Sequence, residues 1–162
     1  GTSYGIFPTL ANARQNTTYV SATTSSNFTV TGSADTSGRT YFAYVLKSIA
    51  GFSRFGQYYA NANTNGPFTY LGFRPRLIII KALESGQTWF FFDTARSTHN
   101  VIDLYLYGQR DLAESTAGTI DIDFLSNGFK IRSSGSDLNS SSGQAYAYLA
   151  WADVPFKYNN TF

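Results

Sequence analysis

The sequence predicts an all-β protein: an antiparallel β-sandwich, or a jelly-roll-like variant of one, with an extended N-terminal arm. Three observations lead there. About eight or nine short segments, alternating or continuously apolar, are separated by turns rich in Gly, Asn and Ser. Aromatic residues make up 17% of the chain, nearly all Tyr and Phe, which suit a pleated, half-buried surface. No segment carries the apolar period of about 3.6 residues that marks an amphipathic helix, and residues 112–117 offer one helical turn at most.

The elements follow in order. Residues 1–26 are rich in Thr, Ser, Asn, Gly and Ala, with no steady apolar period. They read as an extended arm with one short strand. Phe28-Thr29-Val30 alternates, and TYFAYVL over 40–46 is aromatic and β-branched. Residues 52–59 alternate loosely. NANTNGP over 61–67 is a turn cluster, and Phe68-Thr69-Tyr70 leads to a second turn around Gly72 and Pro75. The continuous run LIIIK over 77–81 fits a strand buried on both faces. Glu84-Ser85-Gly86-Gln87 is a hairpin-length loop, with 88–93 as the return strand. VIDLYLY over 101–107 puts Ile102, Leu104 and Leu106 on one face and Asp103 on the other. IDIDF over 120–124 alternates cleanly, Ser126-Asn127-Gly128 turns, and FKIR follows over 129–132. AYAYLAW over 145–151 closes the fold.

An internal echo divides the chain. NFTVTGSADTSGRTYFAYVLK over 27–47 and GFKIRSSGSDLNSSSGQAYAYLAWA over 128–152 share one plan. Each runs turn, Phe-x-(Val/Ile), polar loop, Ser-Gly-x-x-Tyr, then an aromatic strand. Ser37-Gly38 matches Ser142-Gly143 and Tyr41 matches Tyr146, with loops that differ in length by four residues. Residues 27–52 therefore read as the end of a preceding repeat, and about 53–158 as one whole repeat within a domain of 27–162. Residues 1–26 are an arm or a further remnant.

Composition excludes several function classes. Net charge is +2 with no Lys/Arg cluster, so nucleic acid is not an expected partner. There is no cysteine, hence no disulfide and no thiolate metal site. There is no methionine, so Gly1 is not expected to be the translated start. No apolar run reaches the roughly 18–20 residues that span a bilayer, and no membrane partner is expected.

Candidate chemistry is sparse. Lys81 sits at the exit of a buried strand, Asp93 at the exit of its hairpin partner, and Arg96 three residues on. A buried carboxylate needs a partner, so these three form a candidate structural ion cluster. His99, the one histidine, lies in the polar loop RSTHN with no nucleophile elbow in the chain. Asp121 and Asp123 share one strand face, about 7 Å apart by strand rise. They read as a solvated outer face, or at most a weak Ca²⁺ site, since glycosidase carboxylates must flank a cleft from two sides. No catalytic residue and no cofactor is assigned. The aromatic surplus holds the binding candidates: Tyr58, Tyr59, Tyr105, Tyr107 and Trp151. Alternation cannot put every aromatic in the core, so some mark partner or carbohydrate contact. The alternative is a core packed with rings whose hydroxyls reach the rim.

Several separated strings, in order, carry a resemblance. They are IAGFSRFG over 49–56, GPFTYLGFRP over 66–75, Trp89 with DTAR over 93–96, DFLSNGFK over 123–130, and the closing Tyr146-x-Tyr148-x-x-Trp151-Ala152. Together these resemble a family of tailed-bacteriophage structural and tail-fibre-like proteins, common in marine phages and often built as tandem repeats. The resemblance implies a β-sandwich module on the virion exterior and brings no established activity. The expected function is therefore non-enzymatic: a capsid decoration subunit or a fibre or spike component. Its partners would be other virion proteins, and a homo-oligomer, a trimer first, is expected. The alternative is an adhesin module that attaches to a host receptor or surface glycan.

Overall fold

The computed structural model describes residues 4–5, 13–16, 19–24, 26–32, 35–84, 86–116, 118–135 and 137–154. These are all-β. A sheet of five strands holds β5 (Ser53–Tyr59), β7 (Pro75–Ala82), β8 (Trp89–Asp93), β9 (Leu106–Tyr107) and β12 (Ala145–Ala152). Its order is β5-β12-β7-β8-β9 and every pairing is antiparallel. A sheet of three, β10-β11-β6, is built from β6 (Phe68–Tyr70), β10 (Ile122–Leu125) and β11 (Gly128–Ile131).

The two sheets share one core. Ile78 and Ile80 of β7, Phe90 and Phe92 of β8, and Tyr146 and Tyr148 of β12 point inward from the first sheet. Ile122 and Phe124 of β10 and Phe129 and Ile131 of β11 meet them from the second. Rings weld the layers: Phe129 packs edge-on to Tyr58 at 5.9 Å and to Tyr148 at 5.4 Å. Because side chains alternate across a strand, each sheet needs only one apolar face to do this. The close approach of β6 to β11 needs a glycine. A Cβ on Gly128 would stand 2.1 Å from the Thr69 carbonyl oxygen.

The N-terminal region is more structured than an extended arm with one strand. β1 (Tyr4–Gly5) pairs with β2 (Gln15–Asn16), and β3 (Val20–Thr23) with β4 (Phe28–Val30). The Arg14 amide donates to the Leu83 carbonyl at 2.7 Å, and the Arg14 guanidinium pairs with Glu84 at 3.3 Å. This segment thus docks on the β7–β8 loop of its own chain.

Three expectations are corrected here. Residues 40–46 have the composition of a strand yet form none, and they join none of the sheets of the described residues. Residues 101–107 do not run as one strand. Only 106–107 pair as β9, while Ile102 bridges Ile122 and Tyr105 bridges Ser115. The ladder is interrupted where the Asn100 side chain bonds the Phe124 amide and carbonyl at 2.9 and 3.0 Å. Tyr105 therefore turns into the core.

The third correction concerns Lys81. β7 and β8 pair with Lys81 opposite Trp89 and Leu77 opposite Asp93. Four residues along a strand separate Lys81 from Asp93 by about 13 Å, so Lys81 does not join the ion cluster. It is 0% exposed, and its ammonium donates to the Ala82 carbonyl at 2.8 Å. Burial pushes its pKa down from 10.5 to about 8.

The sign follows by linkage. Below pH 8 both folded and unfolded chains are protonated and the full cost of burying the charge is felt. Between about 8 and 10.5 the folded chain releases the proton first, so stability rises with pH. Lys81→Met is expected to raise stability at pH 7 and to remove a slope approaching about 1.4 kcal/mol per pH unit. Urea unfolding of both proteins from pH 7 to 9.5 reads the difference. Parallel pH curves would show that Lys81 does not titrate there.

Candidate functional site

The binding candidates separate once placed. Tyr58 and Tyr105 are not surface residues: they are 5% and 1% exposed. Tyr58 stacks on Tyr146 at 5.0 Å and donates its hydroxyl to the Leu138 carbonyl at 2.8 Å. Burial, then the neighbouring Tyr146, raises its pKa well above the usual value. Tyr105 packs on Phe90, Phe92 and Tyr107, and burial likewise raises its pKa. Tyr107 is half-buried, with the Arg110 guanidinium 5.7 Å above its ring. Tyr59 is exposed and accepts from Gln57 at 2.9 Å. Trp151 is half-buried, edge-on to Phe55 at 5.3 Å.

The polar candidates are structural in their contacts. The Asp93 carboxylate bonds the amides of Ala95 and Arg96 at 2.9 and 3.0 Å and pairs with the Arg96 guanidinium. That closes the turn after β8. Asp123 pairs with Arg132 at 3.3 Å. Asp121 has a raised pKa, from burial first and then from the charges of Asp103 and Asp123. Among the described residues, no three His, Asp or Glu side chains gather to hold a metal ion. His99 is exposed, its Nδ1 2.8 Å from the Thr98 hydroxyl.

Two apolar features remain. The first is a cleft of about 300 Å³ on the outer face of the five-stranded sheet. It is lined by Ile79, Trp89, Phe91, Leu149 and Trp151, with Leu46 reaching over it. Of these residues only Trp151 is among the binding candidates the sequence offers, and Trp89 enters there only through the resemblance.

The second feature is larger. Residues 41–46 lie beside the β3–β4 hairpin and leave an apolar groove of about 500 Å³, lined by Val20, Phe28, Val30, Tyr41, Tyr44 and Leu46 among others. Phe42 and Tyr44 are 91% and 94% exposed, and Val45 is exposed too. Six consecutive uncharged residues, most of them large and apolar, thus face water, more than scattered surface hydrophobics would give. Arg39 and Lys47 flank the strip, but no charge falls within it.

Fold and surface together define a small antiparallel β-sandwich domain that carries an exposed apolar segment at 41–46. The chain belongs to the family described as Domain of unknown function (DUF7483), which matches residues 6–155. No curated protein and no solved structure matches it.

Proposed function

We propose that the chain is a non-enzymatic structural module on the exterior of a bacteriophage particle. It serves as a capsid decoration subunit or as part of a fibre or spike, held by protein–protein assembly. The observation that carries this reading is the apolar strip at 41–46 and the groove behind it. A surface of large exposed apolar side chains gains by covering itself with another polypeptide. The virion setting rests on the resemblance carried by IAGFSRFG, GPFTYLGFRP and DFLSNGFK. A trimer is the expected assembly.

A glycan-binding adhesin is the second reading. It is favoured by the cleft at Trp89, Phe91 and Trp151, where a sugar ring would find aromatic faces. Sugar recognition also needs convergent polar groups, and the cleft lining is almost wholly apolar, which favours assembly.

Antibody raised against the purified chain is expected to label intact particles of the phage that encodes it. Particles carrying Phe42→Ser with Tyr44→Ser are expected to lose about 90% or more of that label, a loss of roughly 1.4 kcal/mol or more in binding. Absence of label from wild-type particles would overturn the virion reading. Full retention of the double variant would move the assembly surface away from 41–46.

A further inference from the structure

The outer face of the three-stranded sheet combines rings with charges. Side chains alternate across a strand. With the buried Ile122 and Ile131 turned inward, Asp121, Asp123, Lys130, Arg132, Phe68 and Tyr70 share the opposite face. Pairing sets them in rows. Asp121 lies beside Arg132, Asp123 beside Lys130 and Phe68, and Gly128 beside Tyr70. Phe68 and Tyr70 are 47% and 58% exposed. Each ring lies against a glycine: a Cβ on Gly128 would meet the Phe68 ring at 3.1 Å, and one on Gly72 the Tyr70 hydroxyl at 3.6 Å. The chain thus backs the rings from one side and leaves the other to water.

At the Asp121–Arg132 end this face opens into a cleft of about 230 Å³, lined by Thr64, Thr119, Asp121, Arg132, Ser133 and Ser134 among others. The fold leaves several of its polar side-chain groups unpaired. Ser133 is buried, and its hydroxyl has no hydrogen-bond partner. The Asp121 carboxylate is half-buried and has no hydrogen-bond or ion-pair partner among the described residues. Arg132 reaches Asp123 through Nε at 3.3 Å, and its terminal nitrogens meet no other partner among the described residues. A buried hydroxyl left unpaired costs stability, and such groups are rare without a reason. A ligand that fills this cleft must donate to Asp121, accept from Arg132 and pair with the hydroxyls. An alcohol group does all three. One acid and one base in the lining suit a neutral molecule better than a phosphate. No three acidic side chains gather to hold a cation among the described residues.

We infer that this face is a binding site for a neutral hexose oligosaccharide, its hydroxyls held in the cleft by Asp121, Arg132 and Ser133 and a further sugar ring laid on Phe68 and Tyr70. From the Tyr70 row to the Arg132 row is about 14 Å along the strand, room for more than one sugar ring. Convergent polar groups at one end and aromatic faces at the other are what sugar recognition needs. The cleft at Trp89 and Trp151 offers rings with few polar groups. The site is separate from the strip at 41–46 and does not rest on the assembly reading.

The test titrates the isotope-labelled full chain with neutral trisaccharides of glucose, galactose and mannose, followed by backbone amide NMR shifts. At least one sugar is expected to move the amides of Thr119, Asp121, Arg132 and Ser133 saturably, with a Kd of about 0.1–1 mM. Tyr70→Ala and Asp121→Ala are each expected to raise that Kd on the order of 10-fold. Ser133→Ala is expected to raise it too, with a melting temperature unchanged or higher, because the hydroxyl it removes has no partner in the free protein. Phe42→Ser with Tyr44→Ser is expected to leave sugar binding intact, which keeps the two surfaces distinct. No shift with any of the three sugars overturns the inference. Shifts confined to Trp89 and Trp151, or binding unchanged by both Asp121→Ala and Ser133→Ala, overturn it as well. Shifts at the same amides on concentrating the chain without sugar would make this face a contact between copies instead.

Discussion

Phe129→Ala is expected to lower the free energy of unfolding by about 3–5 kcal/mol, the range for deleting a fully buried ring. Its side chain is 0% exposed. It is also the ring through which the sheets meet, edge-on to Tyr58 of β5 and Tyr148 of β12. Truncation leaves a cavity between two layers that are each held in register by their own hydrogen bonds, so little collapse into the space is available. Against the 5–15 kcal/mol typical of a domain, the loss is a large fraction of the whole. Urea unfolding followed by tryptophan fluorescence measures it. Phe129→Leu, which keeps most of the volume, is expected to cost less than half as much. A loss below about 1 kcal/mol for the alanine variant would mean that the sheets are not joined there.

Asn139→Ala is expected to cost about 2–4 kcal/mol, by leaving buried polar groups without partners. Asn139 is fully buried. Its carbonyl oxygen accepts from the amides of Asn61 and Ala62 at 2.7 and 3.3 Å. Its amide nitrogen donates to the Asn61 side chain and to the carbonyls of Asn63 and Ser133 at 2.9, 2.8 and 3.0 Å. One side chain thus ties the 61–65 turn to the 133–139 loop. Ala62 is held at φ +53° beside it, a conformation that costs an L-residue energy. Water can replace some of these bonds on the exposed 61–63 side, which keeps the figure below that of a fully enclosed network. Thermal unfolding gives the magnitude, and faster exchange of the Asn61 and Ala62 amides localises it. Unchanged exchange there would show that the turn does not depend on Asn139.

The strongly patterned strands were legible without coordinates. LIIIK and WFFFD lie within strands, IDIDF contributes 122–124 and FKIR 129–131, and β7 and β8 pair as the expected hairpin. The ion cluster was half legible. Asp93 and Arg96 are three residues apart, and local turn chemistry brings them together. Lys81 was misplaced although the signal was present: in a hairpin closed at 84–87, residue 81 must lie next to the loop, across from residue 89 or 90 and at the far end from Asp93. Tyr58 and Tyr105 were illegible as core residues. Alternation tells which residues share a face, but not which face meets the second sheet.

The sequence by itself determined the class of fold, the hairpin turns and the echo between 27–47 and 128–152. Each of these depends on interactions between near neighbours along the chain: period, turn residue and side-chain volume. Only the tertiary structure decided which strands receive neighbours. YFAYVL and YAYLAW have much the same composition, yet one forms no strand and the other lies between two strands. A β-strand's hydrogen bonds lie across the chain rather than along it, so strand propensity makes a segment ready to pair, and the partner brought alongside by the rest of the fold decides whether it does.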